Sequence, residues 1–289
     1  MKARCNGLDL EVEVYGEGPA LLLIMGIGAQ LYLWPDSMVQ AWVERGYRVI
    51  RFDHRDIGRS TWLDDHGVPD VRAGLLRRTM GLDVEAPYTL SDMALDCVGL
   101  LDALELPAAH VLGISMGGMV AQHLAIEHPS RVLSLTSLMS TTGARRYVLR
   151  TKPAALKALL AGPAPQTAEQ SVERLTSLME VIGSPGPRDV DELSRVAHLC
   201  FPHTHPRGFL RHFAAILASG DRTEALAKVR CPAQALHGSL DPLIHPSAGE
   251  ATARAIPGAR FELFEGMGHD MPPAFHARII DAVDALARG

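Results

Sequence analysis

Residues 110–118 have the sequence HVLGISMGG, which combines the pattern of a buried strand with the start of a helix. Its first five residues are an apolar run typical of a buried strand, and a helical pattern begins at Met116. Ser115 must then occupy a sharp strand-to-helix turn with a strained backbone, which requires small neighbours such as Gly113 and Gly117. The pattern predicts a serine nucleophile; the alternative is a chance Gly-x-Ser-x-Gly in an ordinary turn.

Apolar runs alternate with helical patterns along most of the chain. The runs cover residues 20–25, 47–52, 110–114, 132–139, 233–236 and 260–264. Helical patterns cover residues 90–104, where Thr89 and Asp92 form a potential capping box, and also 116–127 and 275–286. Near-continuous apolar runs suit strands covered on both faces, so we predict an α/β fold with a mostly parallel sheet and flanking helices. Residues 8–15 alternate like a half-exposed antiparallel edge strand.

The segment 142–230 interrupts this alternation. It has no convincing strand, and its helical patterns are broken by Gly162-Pro163, Pro165 and the cluster at 183–187. We therefore predict a helical insertion that divides a core made of residues 1–141 and 231–289. Because it joins two strands that both lead into motif residues, a lid over a site is favoured over structural filler.

Two residues in later loops could activate the serine, which needs a base, and the base needs a third group to orient it. His269 follows the last apolar run in the sequence FEGMGH (264–269). Asp241 follows the preceding run in HGSLDP (237–242). The three residues occur in the chain order Ser, Asp, His, which is the order that accompanies a Gly-x-Ser-x-Gly strand-to-helix turn. Asp270 is the rival acid, and the other histidines are interpreted as surface or hydrogen-bonded residues.

An oxyanion hole needs two backbone N–H groups directed at one point. The amide of Met116, directly after the serine, is one candidate. The loop with sequence MGIG (25–28) supplies the other, which we assign to Ile27, with Gly26 allowing close approach. Gly26 and Gly28 could also simply form a turn.

The chain resembles the α/β-hydrolase superfamily, and within it the esterase branch that includes aclacinomycin methylesterase, related carboxylesterases and haloperoxidase-like hydrolases. The resemblance rests on residues 21–28, 53–60 (DHRDIGRS), 113–118, 238–241 and 266–269. It implies an α/β-hydrolase fold with a helical cap, no cofactor and these roles: Ser115 as nucleophile, Asp241 as acid, His269 as base, and Ile27 and Met116 as oxyanion donors.

One position departs from many members of the superfamily, which have His-Gly where this chain has Met25-Gly26. The methylesterase branch shares the Met-Gly form, and the contribution expected there is a backbone amide. Residues 53–60 are interpreted as a hydrogen-bonded turn rather than as catalytic groups.

Composition excludes several other classes of function. The 289 residues are 47% hydrophobic and 21% charged, with a net charge of -5, which argues against nucleic-acid and anionic-membrane partners. Four scattered cysteines and the lack of a signal-peptide pattern predict a cytoplasmic protein. His203 and His205 have no further ligands at metal-binding spacing, and no nucleotide-binding motif is present, so we expect no metal and no cofactor.

The sequence thus predicts a serine hydrolase that cleaves small to medium uncharged esters through an acyl-enzyme. Gly26, Met139 and Met267 are predicted to contact the substrate, because methionines adapt to irregular apolar groups, although methionines are also ordinary core residues. No Gly-Gly-Gly pattern follows position 25, so we expect poor activity on tertiary-alcohol esters. Lactonase, perhydrolase, acyltransferase and carbon–carbon hydrolase activities, or a non-catalytic small-molecule receptor, remain alternatives. The oligomeric state stays open.

Overall fold

A computed structural model describes residues 1–160, 162 and 164–289 of the chain. Pro163, one of the predicted helix interruptions, lies outside the described residues. The strands are β1 (Lys2–Cys5), β2 (Leu8–Tyr15), β3 (Ala20–Ile24), β4 (Arg48–Phe52), β5 (Ala109–Ile114), β6 (Val132–Leu138), β7 (Ala233–Gly238) and β8 (Arg260–Phe264).

Helices connect these strands and fill the long segment between β6 and β7. They are α1 (Asp36–Glu44), α2 (Val71–Met80), α3 (Leu90–Ala103), α4 (Met116–Glu127), α5 (Arg145–Val148), α6 (Pro153–Leu160), α7 (Ala168–Ile182), α8 (Val190–Cys200), α9 (Pro206–Ala218), α10 (Thr223–Leu226), α11 (Pro246–Ala255) and α12 (Pro273–Arg288). Short 3-10 turns cover Leu31–Leu33, Asp64–His66, Pro129–Arg131 and Phe201–His203.

The strands form one sheet in the order β1-β2-β4-β3-β5-β6-β7-β8, which confirms the predicted mostly parallel α/β architecture. The six strands from β3 to β8 are parallel to one another. Strand β2 is antiparallel to both of its neighbours, β1 and β4. The prediction that residues 8–15 form an edge strand was wrong, since β1 covers their outer side. Asn6 and Gly7 both have positive φ (47° and 78°), so they close a tight hairpin that adds β1.

Both faces of the sheet are covered, as the continuous apolar runs predict. Alternate residues of β3 point to opposite sides. Leu22 and Ile24 pack in a core cluster with residues of α3 and α4, whereas Leu21 and Leu23 pack in a second cluster with residues of α1 and α12. The capping box of Thr89 and Asp92 at the start of α3 is also confirmed.

A buried ion pair joins the helices between β6 and β7 to the core. Arg211 of α9 contacts Asp56 through two bonds, Nε–Oδ2 at 2.8 Å and Nη2–Oδ1 at 2.7 Å, and both side chains are fully buried. Burial would raise the pKa of Asp56, but hydrogen bonds from Arg211, the Leu63 amide and the Tyr88 hydroxyl bring it below its usual value. The carboxylate is therefore kept charged by its partners.

We expect Arg211→Met to lower the free energy of unfolding by about 3–5 kcal/mol, because it leaves the Asp56 charge buried without its partner. Urea unfolding of the two proteins measures the difference. The control is Arg254→Met, which removes an exposed pair with Glu250 and should cost less than about 1 kcal/mol. Equal stability of the Arg211→Met and Arg254→Met variants would contradict this account.

Candidate active site

The turn between β5 and α4 holds Ser115 in the strained conformation that the sequence predicts. Its backbone has φ 56° and ψ -119°, a region that non-glycine residues rarely occupy. A Cβ on Gly113 would lie 2.2 Å from the Gly117 carbonyl oxygen, and one on Gly117 would lie 2.1 Å from the Ile24 carbonyl oxygen. Glycine is therefore required at both positions, and the turn is the tight one expected.

The structure brings Ser115, His269 and Asp241 together beyond the carboxyl ends of β5, β7 and β8. Nε2 of His269 lies 3.0 Å from Oγ of Ser115, and Nδ1 of His269 lies 2.6 Å from Oδ2 of Asp241. With Nδ1–H donating to the carboxylate, Nε2 is free to accept the serine proton. All three residues are buried, and Ser115 and His269 also border a large cavity.

Asp270, the rival acid, is directed to other partners. Its Oδ1 accepts hydrogen bonds from the backbone N–H of Ser184 at 2.9 Å and from the Ser184 hydroxyl at 2.5 Å. Its Oδ2 lies 3.7 Å from Arg188. Asp270 therefore ties the His269 loop to the segment after α7, where the Ile182 carbonyl also accepts the His269 backbone N–H at 2.7 Å.

The carboxylate of Asp241 is held by four donors. The amides of Leu243 and Ile244 donate to Oδ1 at 2.9 and 2.8 Å, while His269 and His237 approach Oδ2. Nε2 of His237 lies 3.3 Å from that oxygen and 2.8 Å from the Ile244 carbonyl oxygen, so this nitrogen carries the proton. Burial would raise the pKa of Asp241, but the charges and hydrogen bonds of the two histidines hold it well below its usual range.

His237 was not predicted from the sequence to belong to this network. It stands four residues before Asp241 in HGSLDP, and the turn after β7 returns the chain so that the two side chains meet. The sequence feature that could have indicated this role is the His237-Gly238 pair at the start of the motif that contains Asp241.

The loop after β3 lies beside the serine. Ile24 of β3 pairs with Gly113 of β5, so the two strands end side by side. A Cβ on Gly26 would lie 3.4 Å from Cβ and 3.9 Å from Oγ of Ser115, which are ordinary van der Waals distances, so the loop lies directly against the serine. Ile27 is the next residue of this loop, and Met116 begins α4 on the other side of the serine.

A cavity of about 860 Å³ opens above Ser115 and His269. Its walls are mostly apolar and come from the loop after β3, from α7, α8 and α9, and from the segment after His269. Apolar lining residues include Met25, Ile27, Leu178, Met179, Phe209 and Met271. A smaller cleft of about 370 Å³ between α2 and α9 is lined by Asp70, Arg77 and Glu85 as its charged residues and has no serine, cysteine or histidine, so it lacks a serine–histidine pair.

The structure places Met139 and Met267, two of the three predicted substrate contacts, away from the cavity. Both side chains are fully buried in the core cluster that contains Leu236 and Phe264, and neither lines the cavity. Met139 follows the end of β6 with a left-handed backbone, φ 47°, and its side chain packs into the core. Gly26, the third predicted contact, does line the cavity.

Residues 53–60 form the hydrogen-bonded turn that was predicted. Asp53 accepts from the amides of Leu31 at 2.8 Å and Arg59 at 2.9 Å, and Arg55 makes a bidentate pair with Asp96. Burial raises the pKa of Asp53 to about 6, against the lowering effect of the two amide hydrogen bonds. The charged groups of Asp53 and Arg55 therefore bind neighbouring backbone amides and Asp96, and neither contacts Ser115.

The described part of the chain contains neither a metal-binding cluster nor a membrane-spanning helix. Within residues 1–160, 162 and 164–289, no group of three or more His, Cys, Asp or Glu side chains could hold a metal ion. Over the same residues, no helix combines the length and the apolar character needed to cross a membrane. The ring of His203 instead accepts a hydrogen bond from Arg59 at 3.0 Å.

The chain belongs to the α/β-hydrolase family: residues 19–181 match the family model described as alpha/beta hydrolase fold. It is a carboxylic ester hydrolase, as its similarity to named esterases shows. It is 31% identical to rhodomycin D methylesterase DnrP of Streptomyces peucetius, over 96% of each chain. It is also 32% identical to the pimeloyl-[acyl-carrier protein] methyl ester esterase of Chromobacterium violaceum, over 66% of this chain and 74% of that one.

Solved structures show the same fold. The enol-lactonase from Burkholderia xenovorans LB400 superposes with a TM-score of 0.73 over the whole of both chains, at 24% identity. At this level of identity the likeness concerns the fold alone. The resemblance to α/β-hydrolase esterases inferred from the sequence motifs is thus confirmed.

Proposed function

We propose that the protein hydrolyses carboxylic esters with Ser115 as nucleophile, His269 as general base and Asp241 as the group that orients His269. One observation carries the proposal: His269 lies between the other two, 3.0 Å from the serine Oγ and 2.6 Å from the carboxylate. Each ring nitrogen therefore has the partner that its role in acyl transfer requires.

The reaction proceeds in two halves. His269 Nε2 takes the proton of Ser115, Oγ attacks the ester carbonyl carbon, and the amides of Ile27 and Met116 stabilise the oxyanion. The protonated His269 then donates that proton to the leaving alcohol, which leaves an acyl-enzyme. A water molecule activated by His269 attacks the acyl group, and the acid departs with Ser115 restored.

The preferred substrate is an uncharged ester with a small alcohol and a medium-sized apolar acid. A mostly apolar cavity of about 860 Å³ supports this choice, because such a volume holds a medium-sized organic group. Two relatives, a methylesterase and a methyl ester esterase, support a small alcohol.

We further propose that residues 142–230 act as a lid over this cavity. Side chains of α7, α8 and α9 line its far side, and the Ile182 carbonyl at the end of α7 accepts the backbone N–H of His269. The segment therefore supports the position of the base as well as covering the acyl group.

The acyl preference is tested with p-nitrophenyl acetate, butyrate, octanoate and laurate. Leu178 lines the cavity, so Leu178→Trp should lower the octanoate-to-acetate ratio of kcat/KM about 10-fold or more. The control Leu76→Trp changes an exposed leucine of α2 and should leave that ratio unchanged. A ratio that both variants leave at the wild-type value would refute the assignment of this cavity as the acyl site.

A further inference from the structure

His212 of α9 reaches the loop that follows β3. It is fully buried, and its two ring nitrogens contact the backbone at two separate places. Nδ1 lies 3.3 Å from the amide nitrogen of Gly28, and Nε2 lies 2.8 Å from the carbonyl oxygen of Arg55. Phe209, one turn earlier on the same helix, packs against Gly28 as well.

These contacts define the tautomer of His212. The Arg55 carbonyl can only accept, so Nε2 carries the hydrogen and Nδ1 accepts the N–H of Gly28. Burial lowers the pKa of His212 to about 4, which keeps the ring neutral and Nδ1 available as an acceptor.

A second histidine holds the other end of the same loop. Nε2 of His54 lies 3.0 Å from the Met25 carbonyl oxygen, and its ring packs edge-on against His212 with centroids 5.7 Å apart. The segment from Met25 to Gly28 is thus held at both ends by imidazoles. Ile27 lies within it, between two glycines whose backbones are weakly restrained by local sterics.

We infer that His212 is a positioning residue that directs the Ile27 amide toward the oxyanion formed at Ser115. The inference rests on the proposed function, because it gives the Ile27 amide a catalytic role. Rotation of the peptide units around Gly28 would turn the Ile27 N–H away, and the bond from Gly28 to His212 opposes that rotation. Since α9 belongs to residues 142–230, the seating of the lid and the geometry of the oxyanion hole are linked.

Replacing His212 by asparagine or by glutamine distinguishes the contribution of its bond with Gly28 from that of its bond with Arg55. In His212→Asn the side-chain oxygen is as many bonds from Cα as Nδ1, so it can accept from Gly28. In His212→Gln the terminal nitrogen corresponds to Nε2, so only the bond to Arg55 is kept. We expect His212→Gln to lower kcat about 10- to 100-fold with KM within about threefold, and His212→Asn to retain most of kcat.

The second readout is inhibition by an octyl trifluoromethyl ketone, to whose carbonyl carbon Ser115 Oγ adds while its proton passes to His269 and the ketone oxygen becomes the oxyanion. Its inhibition constant should rise in His212→Gln by the same factor as kcat falls. The control Tyr47→Phe removes the hydrogen bond from Tyr47 to Asp284 of α12, which lies outside both α9 and the loop after β3, so it should lower Tm without changing this constant.

The outcomes separate the two hypotheses. If calorimetry shows that the ketone binds wild type but not Ser115→Ala, and His212→Gln equals wild type in kcat and in inhibition constant, the positioning role is overturned while the proposed function stands. If kcat of His212→Asn falls as far as kcat of His212→Gln, activity depends on the imidazole ring rather than on the bond from Gly28. The inference is then also overturned. If the ketone binds wild type and Ser115→Ala with equal affinity, the proposed function itself fails.

A measurement on the unchanged protein avoids any effect of the substitutions on folding. In protein labelled with ¹⁵N-histidine, we expect the spectrum of His212 at neutral pH to show a proton on Nε2 and none on Nδ1. A proton on Nδ1 would exclude the bond from Gly28 and overturn the inference.

Discussion

Ser115→Ala is expected to lower kcat for ester hydrolysis by about 10⁶ and to leave the fold intact. The hydroxyl is the atom that attacks the carbonyl carbon, and its removal leaves His269 with no proton to take from the protein. Alanine fits the turn, because the Ser115 hydroxyl has His269 as its partner in the network rather than a backbone group of the turn. Steady-state kinetics on p-nitrophenyl butyrate, with Tm measured in parallel, checks both parts.

Ser140→Ala is the matched control for that substitution. Ser140 is a buried serine whose hydroxyl donates to the Ser115 carbonyl oxygen at 2.7 Å, so it is close to the nucleophile without being the attacking group. Its loss should cost about 1 kcal/mol of stability and less than about 10-fold in kcat. Retention of more than about 1% of kcat by Ser115→Ala would mean that another group attacks the ester.

Asp241→Asn is expected to lower kcat by about 10⁴ with little change in structure. The amides of Leu243 and Ile244 both donate to Oδ1, so the asparagine oxygen must take that position. Its NH₂ group then faces His269, and Nδ1 of the ring has to accept rather than donate. The proton of the neutral ring moves to Nε2, which can no longer accept a proton from Ser115.

The neighbouring carboxylate provides the control for this prediction. Asp270→Asn changes a side chain that bonds to Ser184, and kcat should stay within about 10-fold of wild type. Because its surroundings hold the pKa of Asp241 well below the usual range, this group stays charged over the working pH, and the acid limb of kcat/KM should not report its titration. Similar losses in Asp241→Asn and Asp270→Asn would remove the basis for the assignment.

Local patterns were enough to predict the sheet and the nucleophile turn. Continuous apolar runs specify strands that are covered on both sides, and the two glycines around Ser115 leave room for a turn that other residues would block. The hairpin that adds β1 also has a local signal, Asn6-Gly7, but the alternation of residues 8–15 by itself is equally consistent with an edge strand.

Contacts between distant parts of the chain could not be predicted in this way. Met139 and Met267 stand in loops at the correct edge of the sheet, yet their backbones direct both side chains into the core. His212 bonds to Gly28 across 184 residues, and no periodicity or motif marks that partnership. The direction of a side chain within a loop and the docking of α9 both depend on packing that the sequence pattern does not encode.

Covalent trapping identifies the attacking residue in the unchanged protein. A fluorophosphonate reacts with an activated serine by forming an O–P bond as fluoride leaves, and mass spectrometry of the digested protein identifies the modified residue. The account predicts one adduct, on Ser115, formed in parallel with the loss of esterase activity and greatly slowed in Asp241→Asn. An adduct on another residue, or full inactivation with Ser115 unmodified, would contradict it.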